Sequence, residues 1–125
     1  DKYKDLLKQS LVEPGQLEIF VMNADGSGQR LVTSNGASNF SPFYFPDGNR
    51  IIFSSNIETK GEGGRPSFHL YAIGEDGQGL ERLTFDGQFN SFPMFSPDGT
   101  RLVWVSDRQA KTPGEFNVFL ADWVP

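Results

Sequence analysis

Two stretches of the chain carry nearly the same residues 51 positions apart, PFYFPDG at Pro42–Gly48 and PMFSPDG at Pro93–Gly99. The same shift superposes RIIF at Arg50–Phe53 on RLVW at Arg101–Trp104. Internal repeats with a period of about 20 to 50 residues are typical of solenoids, propellers and arrays. The sequence therefore predicts a repeat architecture.

Each repeat reads as four short strands separated by turn residues. Pro46 fixes its own φ, Asp47 can bond the backbone ahead of it, and Gly48 takes the positive φ that closes a hairpin. Asp76 and Gly77 supply similar chemistry between the third and fourth strands. Antiparallel four-stranded units at this spacing are the blades of a β-propeller. In the complete copy the predicted strands are Phe40–Phe45, Arg50–Asn56, Phe68–Ile73 and Leu80–Thr84.

The composition favours an all-β fold and narrows the classes of function. The 125 residues are 37% hydrophobic and 14% aromatic, and the 14 Gly and 8 Pro suit short strands joined by tight turns. The net charge of -5 would repel a phosphate backbone, which argues against nucleic acid as a partner. Because cysteine is absent, disulfides and thiolate metal sites are excluded. No apolar run is long enough for membrane insertion.

Two segments resemble a known repeat family. IFVMNADGSGQR at Ile19–Arg30 and FSPDGTR at Phe95–Arg101 are similar to the repeat of TolB-like propellers, which are divergent relatives of the WD repeats. The resemblance extends from Leu17 to Trp123, although Phe45 stands where serine is usual before the proline. It implies an all-β fold built from antiparallel four-stranded blades.

The family order of strands divides the chain into a short leader and a partial propeller. Residues 1–16 are expected to form a helix or linker, and residues 17–125 about two blades' worth of propeller. The leader places four apolar side chains at helical spacing, Tyr3, Leu6, Leu7 and Leu11, and Pro14-Gly15 is expected to end it. The propeller part comprises the outer strands of one blade at 17–33, a full blade at 40–84 and three strands of the next at 92–123.

The incomplete ring predicts a need for partners. Propellers require four or more blades, so the outermost sheets of this chain would each expose an apolar face. Such faces are expected to be covered by self-association or by the rest of a longer propeller. The family resemblance also leaves open that the chain ends where its parent protein ends.

No constellation for catalysis or for a cofactor is visible. The one histidine, His69, aligns with Glu18 and Asn117 and is therefore expected to be a polar, solvent-facing residue. The chain has no Gly-x-Ser-x-Gly elbow and no phosphate-binding glycine loop. Asn23–Gly26 faintly resembles the start of a calcium loop, but Ser34 stands where a bidentate Glu is needed, so a plain turn is favoured. We expect no catalytic residues, no metal and no cofactor.

The loops indicate which face binds. The turns after the first and third strands of each blade lie on one face of the predicted propeller, and their sequences repeat almost unchanged. The loops after the second and fourth strands lie on the opposite face. On that second face, Ile57–Ser67 and the equivalent Arg108–Glu115 differ in length and charge. Repeat proteins place variable segments on their binding face.

The candidate binding residues lie at the starts of the two inner strands on this variable face. Phenylalanine would supply apolar area and asparagine adaptable hydrogen bonds, although each phenylalanine has the alternative of packing between blades. On the same face, Asp107 and Arg108 follow the second strand of the last copy and are expected to form an exposed ion pair of small energetic value. The complete set is Asn39, Phe40, Phe89, Asn90, Phe92, Asp107 and Arg108.

Together these features favour a non-catalytic module that binds a protein or peptide. The resemblance to TolB-like proteins implies an exported, periplasmic location. Two alternatives remain open: an accessory propeller that presents substrate to a serine peptidase domain, and one that belongs to a carbohydrate-active enzyme such as an oligogalacturonate lyase. The carbohydrate alternative would need several histidine and acidic metal ligands near the channel, and only His69 is present.

Overall fold

The structure is a computed structural model that describes residues 1–9, 15–60 and 62–125. Within these ranges the chain forms one short helix followed by nine strands. They are α1 Lys2–Lys8, β1 Phe20–Val21, β2 Arg30–Leu31, β3 Asn39–Tyr44, β4 Arg50–Ser55, β5 His69–Gly74, β6 Glu81–Arg82, β7 Asn90–Phe95, β8 Arg101–Ser106 and β9 Asn117–Asp122.

The strands form three antiparallel sheets that follow one another along the chain. Their strand orders are β1-β2, β3-β4-β5-β6 and β7-β8-β9, so the middle sheet has the four sequential strands of a propeller blade. Single parallel bridges, Leu17 with Ser38 and Phe68 with Phe89, join each sheet to the start of the next. The all-β prediction of antiparallel blades with a short N-terminal helix is confirmed.

The predicted turns are confirmed in detail. In the first Pro-Asp-Gly turn Gly48 has a φ of 74°, and the Asp47 carboxylate accepts a hydrogen bond from the Asn49 N–H at 2.8 Å. In the second turn, hydrogen bonds from Ser96 and Thr100 hold the pKa of Asp98 at about 2. These aspartates therefore stabilise turns, as the sequence indicated.

Strand β4 lies at the centre of the structure because it packs on both faces. Ile51 and Phe53 face the first sheet, whereas Ile52 faces the third. Burying each such side chain contributes roughly 1.5–3 kcal/mol. The core between the first and middle sheets contains Ile19, Val21, Val32, Ile51, Phe53, Tyr71 and Ile73. The core between the middle and third sheets contains Phe45, Ile52, Leu70, Ala72, Phe95, Leu102 and Trp104.

The expectation that His69 faces solvent is wrong. Its side chain is buried at the junction of the second and third sheets, where Nδ1 lies 3.1 Å from Thr84 Oγ1 and 3.3 Å from Asn90 Nδ2. The Leu70 N–H donates to the same Thr84 hydroxyl, which therefore contacts both the imidazole and the backbone of β5. Because the next sheet covers the start of β5, strand alternation does not decide the exposure of this position.

The N-terminal helix stands apart from the sheets. The Asp1 carboxylate caps it by accepting from the Tyr3 N–H at 3.0 Å, and no residue of α1 is buried. Leu11, which was expected on its apolar face, and Pro14, which was expected to end the segment, lie outside the described residues. In the described ranges no helix is long and apolar enough to cross a membrane.

Candidate functional site

Five phenylalanine rings gather at the end of the sheets where the variable loops lie. We call them the phenylalanine cluster: Phe40, Phe68, Phe89, Phe92 and Phe116. They come from the starts of inner strands β3 and β7 and from the residues just before β5 and β9. Apolar side chains that converge on a loop face can form a contact surface for a partner.

The rings contact one another edge to face, except for Phe89 and Phe92, whose rings are tilted. Phe40 lies 5.3 Å from Phe68 and 6.2 Å from Phe92, and Phe89 lies 5.9 Å from Phe68 and 6.4 Å from Phe92, so four rings close a circuit. Phe116 extends it, with its ring 5.2 Å from Phe89. Edge-to-face pairs contribute about 0.5–1.5 kcal/mol beyond area burial. Each ring is therefore held in place by contacts with its neighbours.

The cluster has a buried base and an exposed rim. Phe68 is 6% exposed, whereas Phe92 and Phe116 are 55% and 46% exposed. Phe40 and Phe89 are half-buried between them. Both roles considered from the sequence, packing between blades and presenting an apolar surface, are thus divided among these rings.

A bulge in each inner strand directs the residues at the rim. Strands β3 and β7 both break register beside strand β4 or β8, and Ser41 and Phe92 sit at equivalent bulge positions with φ of 50° and 55°. A positive φ is unfavourable for a residue as bulky as phenylalanine, and bulges often redirect a side chain. The Phe92 N–H donates to Ser41 Oγ at 3.3 Å, which is itself 3.0 Å from Ser91 Oγ. Neighbouring bulges therefore hold each other.

The two predicted asparagines hold the sheets together. Asn39 is 2% exposed; its Nδ2 donates to the Leu17 carbonyl at 2.8 Å, and its Oδ1 accepts from Ser55 at 2.8 Å. Asn90 has no exposed surface; its Oδ1 accepts from Ser106 at 2.8 Å, and its Nδ2 donates to carbonyl oxygens of the second sheet and its following loop. Their amides are occupied within the chain, so of the predicted set the phenylalanines form the accessible part.

Asp107 and Arg108 do not form the exposed ion pair that the sequence suggested. Asp107 Oδ1 accepts from the N–H groups of Gln88 and Phe89 at 2.8 and 2.9 Å, which fixes the loop that leads into β7. Arg108 instead lies over the ring of Trp104, 5.0 Å from its centroid, and donates to neutral acceptors. Adjacent residues in a loop point in different directions, and here each finds a separate partner.

Two members of the cluster, Phe68 and Phe116, were missed from the sequence. A shift of 48 residues, the one that places Leu70 on Val118, also places Phe68 on Phe116. The repeat therefore carried the signal, but only the approach of neighbouring sheets shows that these residues meet Phe89.

The titratable groups near this face offer little chemistry. Burial lowers the pKa of His69, and nearby arginines lower it further, which keeps the ring neutral. Burial, together with the nearby Glu58 carboxylate, raises the pKa of Tyr71 to about 12. Among the described residues, no three His, Asp or Glu side chains are grouped to hold a metal ion. What the cluster offers for contact is therefore apolar surface.

Comparison with known proteins places this architecture in a family. The family model described as the TolB beta propeller domain matches residues 5–122. The solved structure of a putative TolB from Agrobacterium tumefaciens superposes with a TM-score of 0.67 at 28% identity, covering 84% of this chain and 37% of that chain. TolB from Acinetobacter baumannii gives a TM-score of 0.66 at 26% identity, covering 90% and 26%.

Two curated relatives are longer proteins. Dipeptidyl-peptidase 5 of Porphyromonas endodontalis is 32% identical over 99 residues, which are 78% of this chain and 13% of that protein. An uncharacterized protein of Agrobacterium fabrum is 30% identical over 89 residues, which are 71% and 28%. The chain thus spans less than a third of either relative. On the family match, the repeat and the sheet order together, the chain belongs to the TolB beta propeller domain family.

Proposed function

We propose that the chain is a non-catalytic propeller module that binds a segment of a protein or peptide at the phenylalanine cluster. The observation that carries the proposal is Phe92, a bulky residue that is held at a φ of 55° and is 55% exposed. Backbone strain of this kind costs on the order of 1–3 kcal/mol and is concentrated at functional sites. Exposed aromatic rings that are packed against neighbouring rings are effective anchors for a partner.

The surroundings of the cluster suit binding better than chemistry. The one histidine of the chain is buried in a structural network, and cysteine is absent from the sequence. The cluster instead offers apolar area next to the loop that leads into β9, which carries Lys111 and Glu115. Export to the periplasm, which the family resemblance implies, is part of this proposal.

The proposal is tested by selecting peptides from a displayed random library on the immobilised chain and measuring their affinity for variants. Phe92→Ser and Phe116→Ser should each weaken binding at least tenfold, because each removes an exposed anchor. Phe20→Ser is the matched control, since Phe20 is 61% exposed but lies on β1 away from the cluster. Equal affinity for all variants, or the same loss in the control, would count against this site.

A second candidate is a propeller that accompanies a peptidase domain. The observation that favours it is the similarity to a protein named dipeptidyl-peptidase 5. Peptide binding at the phenylalanine cluster would then deliver substrate to catalytic residues outside this chain. The two candidates differ in their ligands: a delivery module should select peptides that such a peptidase cleaves, whereas an independent module should select uncleaved segments.

We also propose that the outer faces of the first and third sheets take further sheets, from a longer propeller or from a second copy. The third sheet exposes Met94, Val118 and Leu120, which are 53%, 71% and 61% exposed. Apolar faces of this kind recruit partners. Light scattering of the purified chain should show association that rises with concentration and is weakened by Leu120→Glu, whereas a stable monomer at all concentrations would contradict pairing with a second copy.

A further inference from the structure

The Asn90 side chain, which is buried where the middle and third sheets meet, has a defined amide orientation. Its Oδ1 accepts from Trp104 Nε1 at 3.3 Å and from the Arg108 guanidinium at 3.2 Å, and both of these groups can only donate. The other end of the amide is therefore its NH₂ group, which lies 3.3 Å from His69 Nδ1. Because an amide NH₂ can only donate, the imidazole accepts at Nδ1, and it can do so only while that nitrogen carries no proton.

The repeat shows that both copies have an acceptor at the position of His69. The 51-residue shift places His69 on Glu18. In the first copy the Glu18 carboxylate accepts from the Thr33 hydroxyl at 2.5 Å and from Asn39 Nδ2 at 3.1 Å. In the second copy the corresponding threonine and asparagine lie 3.1 and 3.3 Å from His69 Nδ1. A free glutamate is ionised above about pH 4.3, whereas a free histidine takes up a proton near about pH 6.5, so the second copy has a titratable acceptor where the first has a permanent one.

Charged groups from several elements face the His69 imidazole. Burial is the main cause that lowers the pKa of His69, and the guanidinium groups of Arg82, on β6, and Arg108, after β8, lower it further. The carboxylates of Asp107, after β8, and Glu58, after β4, act in the opposite direction. Protonation of His69 therefore places a third positive charge near two guanidinium groups, in a site that is shielded from water.

The contact between His69 and Asn90 adjoins the phenylalanine cluster along both strands. Phe68 precedes His69, and its carbonyl accepts from the backbone N–H and from Nδ2 of Asn90, at 2.9 and 3.3 Å. Phe89 precedes Asn90, and Phe92 lies at the bulge two residues after it. Three of the five rings are therefore attached to backbone that this contact helps to hold. A shift of the Asn90 amide would change their arrangement.

We propose that His69 is a positioning residue for the phenylalanine cluster and that its protonation releases the bound segment. While the imidazole is neutral, Nδ1 holds the Asn90 amide and with it the rings of Phe89 and Phe92. When Nδ1 is protonated, two donors face each other, and the amide moves away. The inference rests on the binding function proposed above and adds its regulation: the partner is held at neutral pH and released in acid.

The surrounding hydrogen bonds indicate which of the two side chains moves. The Thr84 hydroxyl oxygen, 3.1 Å from Nδ1, can accept from a protonated nitrogen, whereas Asn90 Nδ2 cannot. Asn90 Nδ2 also donates to the Asp86 carbonyl at 3.0 Å, which remains available to it after protonation. We therefore expect the imidazole of His69 to keep its contact with Thr84 while the Asn90 amide is displaced.

The first test follows the chain without a partner. Because the sequence contains one histidine, the Cε1 proton signal in nuclear magnetic resonance spectra reports the protonation of His69 alone. In chain carrying labelled phenylalanine, the ring signals of Phe89 and Phe92 should shift with the same midpoint as this signal. The ring of Phe20, on β1, is the control and should not follow it. Far-UV circular dichroism should stay constant over this range, which separates the local change from unfolding.

The second test measures binding at a series of pH values. It uses a peptide selected on the immobilised chain at pH 7 that contains no His, Asp or Glu of its own. One pH unit below the measured midpoint of His69 the affinity should be about tenfold weaker, because about one-tenth of the chain then remains in the binding state. His69→Gln keeps an acceptor that does not titrate, and His69→Glu introduces the carboxylate of the first copy. In both variants the affinity should change less than about twofold over the same range.

Three results would overturn the proposal. The rings of Phe89 and Phe92 fail to follow the titration of His69, the chain unfolds before His69 takes up a proton, or His69→Gln keeps the full pH dependence of the affinity. A library that yields no peptide at pH 7 would instead count against the proposed function. The ring signals of the chain alone would then still decide whether His69 positions the cluster.

Discussion

Asn39 and Asn90 make the same connection in consecutive sheets. Each Nδ2 donates to a backbone carbonyl of the preceding sheet, that of Leu17 just before β1 in one copy and that of Phe68 just before β5 in the other, at 2.8 and 3.3 Å. Each Oδ1 accepts from a serine hydroxyl 2.8 Å away in its own sheet. An asparagine at the same position of each repeat thus links the inner strand both to the preceding sheet and to the next strand of its own sheet.

Replacing Asn90 should destabilise the chain markedly. Asn90→Ala leaves buried carbonyl and hydroxyl groups without their partner, which costs about 1–3 kcal/mol of unfolding free energy. Urea unfolding measures the change. Asn49→Ala is the control, because Asn49 is exposed and its substitution should change the unfolding free energy by less than about 0.5 kcal/mol. Equal effects of the two substitutions would contradict the role of Asn90.

The two Pro-Asp-Gly turns should differ in their tolerance of alanine. Both glycines have a positive φ, but a Cβ at Gly99 would lie 2.9 Å from Pro46 Cβ, whereas nothing lies within 4 Å of one at Gly48. Gly48→Ala should therefore cost about 1 kcal/mol for the left-handed backbone alone. Gly99→Ala should cost about 1–3 kcal/mol more, as overpacking does. Thermal or urea unfolding compares them, and equal losses would mean that the turns do not pack together.

Because the backbone at Phe92 is strained, glycine should be more stabilising than alanine at this position, which is the reverse of the usual order in a strand. At a φ of 55° glycine avoids the Cβ penalty, so Phe92→Gly should be more stable than Phe92→Ala by about 1 kcal/mol. Met94, two residues further in β7, has no positive φ, and there alanine should be the more stable by about 0.5–1 kcal/mol. If both positions favour alanine, the bulge is not strained as described.

The stability of the chain should fall between pH 7 and pH 5 because of His69. Its pKa in the folded chain is lowered below the ordinary 6.5, chiefly by burial. As the pH falls, the imidazole of the unfolded chain therefore takes up a proton before that of the folded chain does. The free energy of unfolding is highest above pH 6.5 and decreases as the pH falls toward the pKa of the folded state. Asp98, with a pKa of about 2, titrates below this window.

The matched variant for that pH dependence is His69→Gln, which keeps a hydrogen-bond acceptor without a titrating ring. Its unfolding free energy should be nearly constant from pH 7 to pH 5. A slope as steep as that of the natural chain would show that other groups are responsible.

The repeat in the sequence predicted the sheets but only part of the site. Strands β4 and β8 and their Pro-Asp-Gly turns follow from local chemistry, because proline fixes its own φ and glycine accepts the positive φ that the turn requires. The bulges at Ser41 and Phe92 did not follow, since neither residue is one that prefers a positive φ.

Environment decided the residues that sequence alone misplaced. His69 and Asn90 are polar, which predicted exposure or recognition, yet the neighbouring sheet buries both and uses their hydrogen bonds. Which residues a second sheet covers depends on contacts between distant segments. The alternation of polar and apolar residues along a single strand does not contain that information.

The most direct test of the account is to locate a bound peptide on the chain. A peptide selected by the displayed library is bound to chain carrying labelled phenylalanine, and nuclear Overhauser effects between peptide protons and ring protons are recorded. We predict contacts from the peptide to the rings of Phe92 and Phe116, with Phe40 next to them. Contacts confined to Phe20 on β1, or to the face of the Pro-Asp-Gly turns, would contradict the claim that the phenylalanine cluster is the binding site.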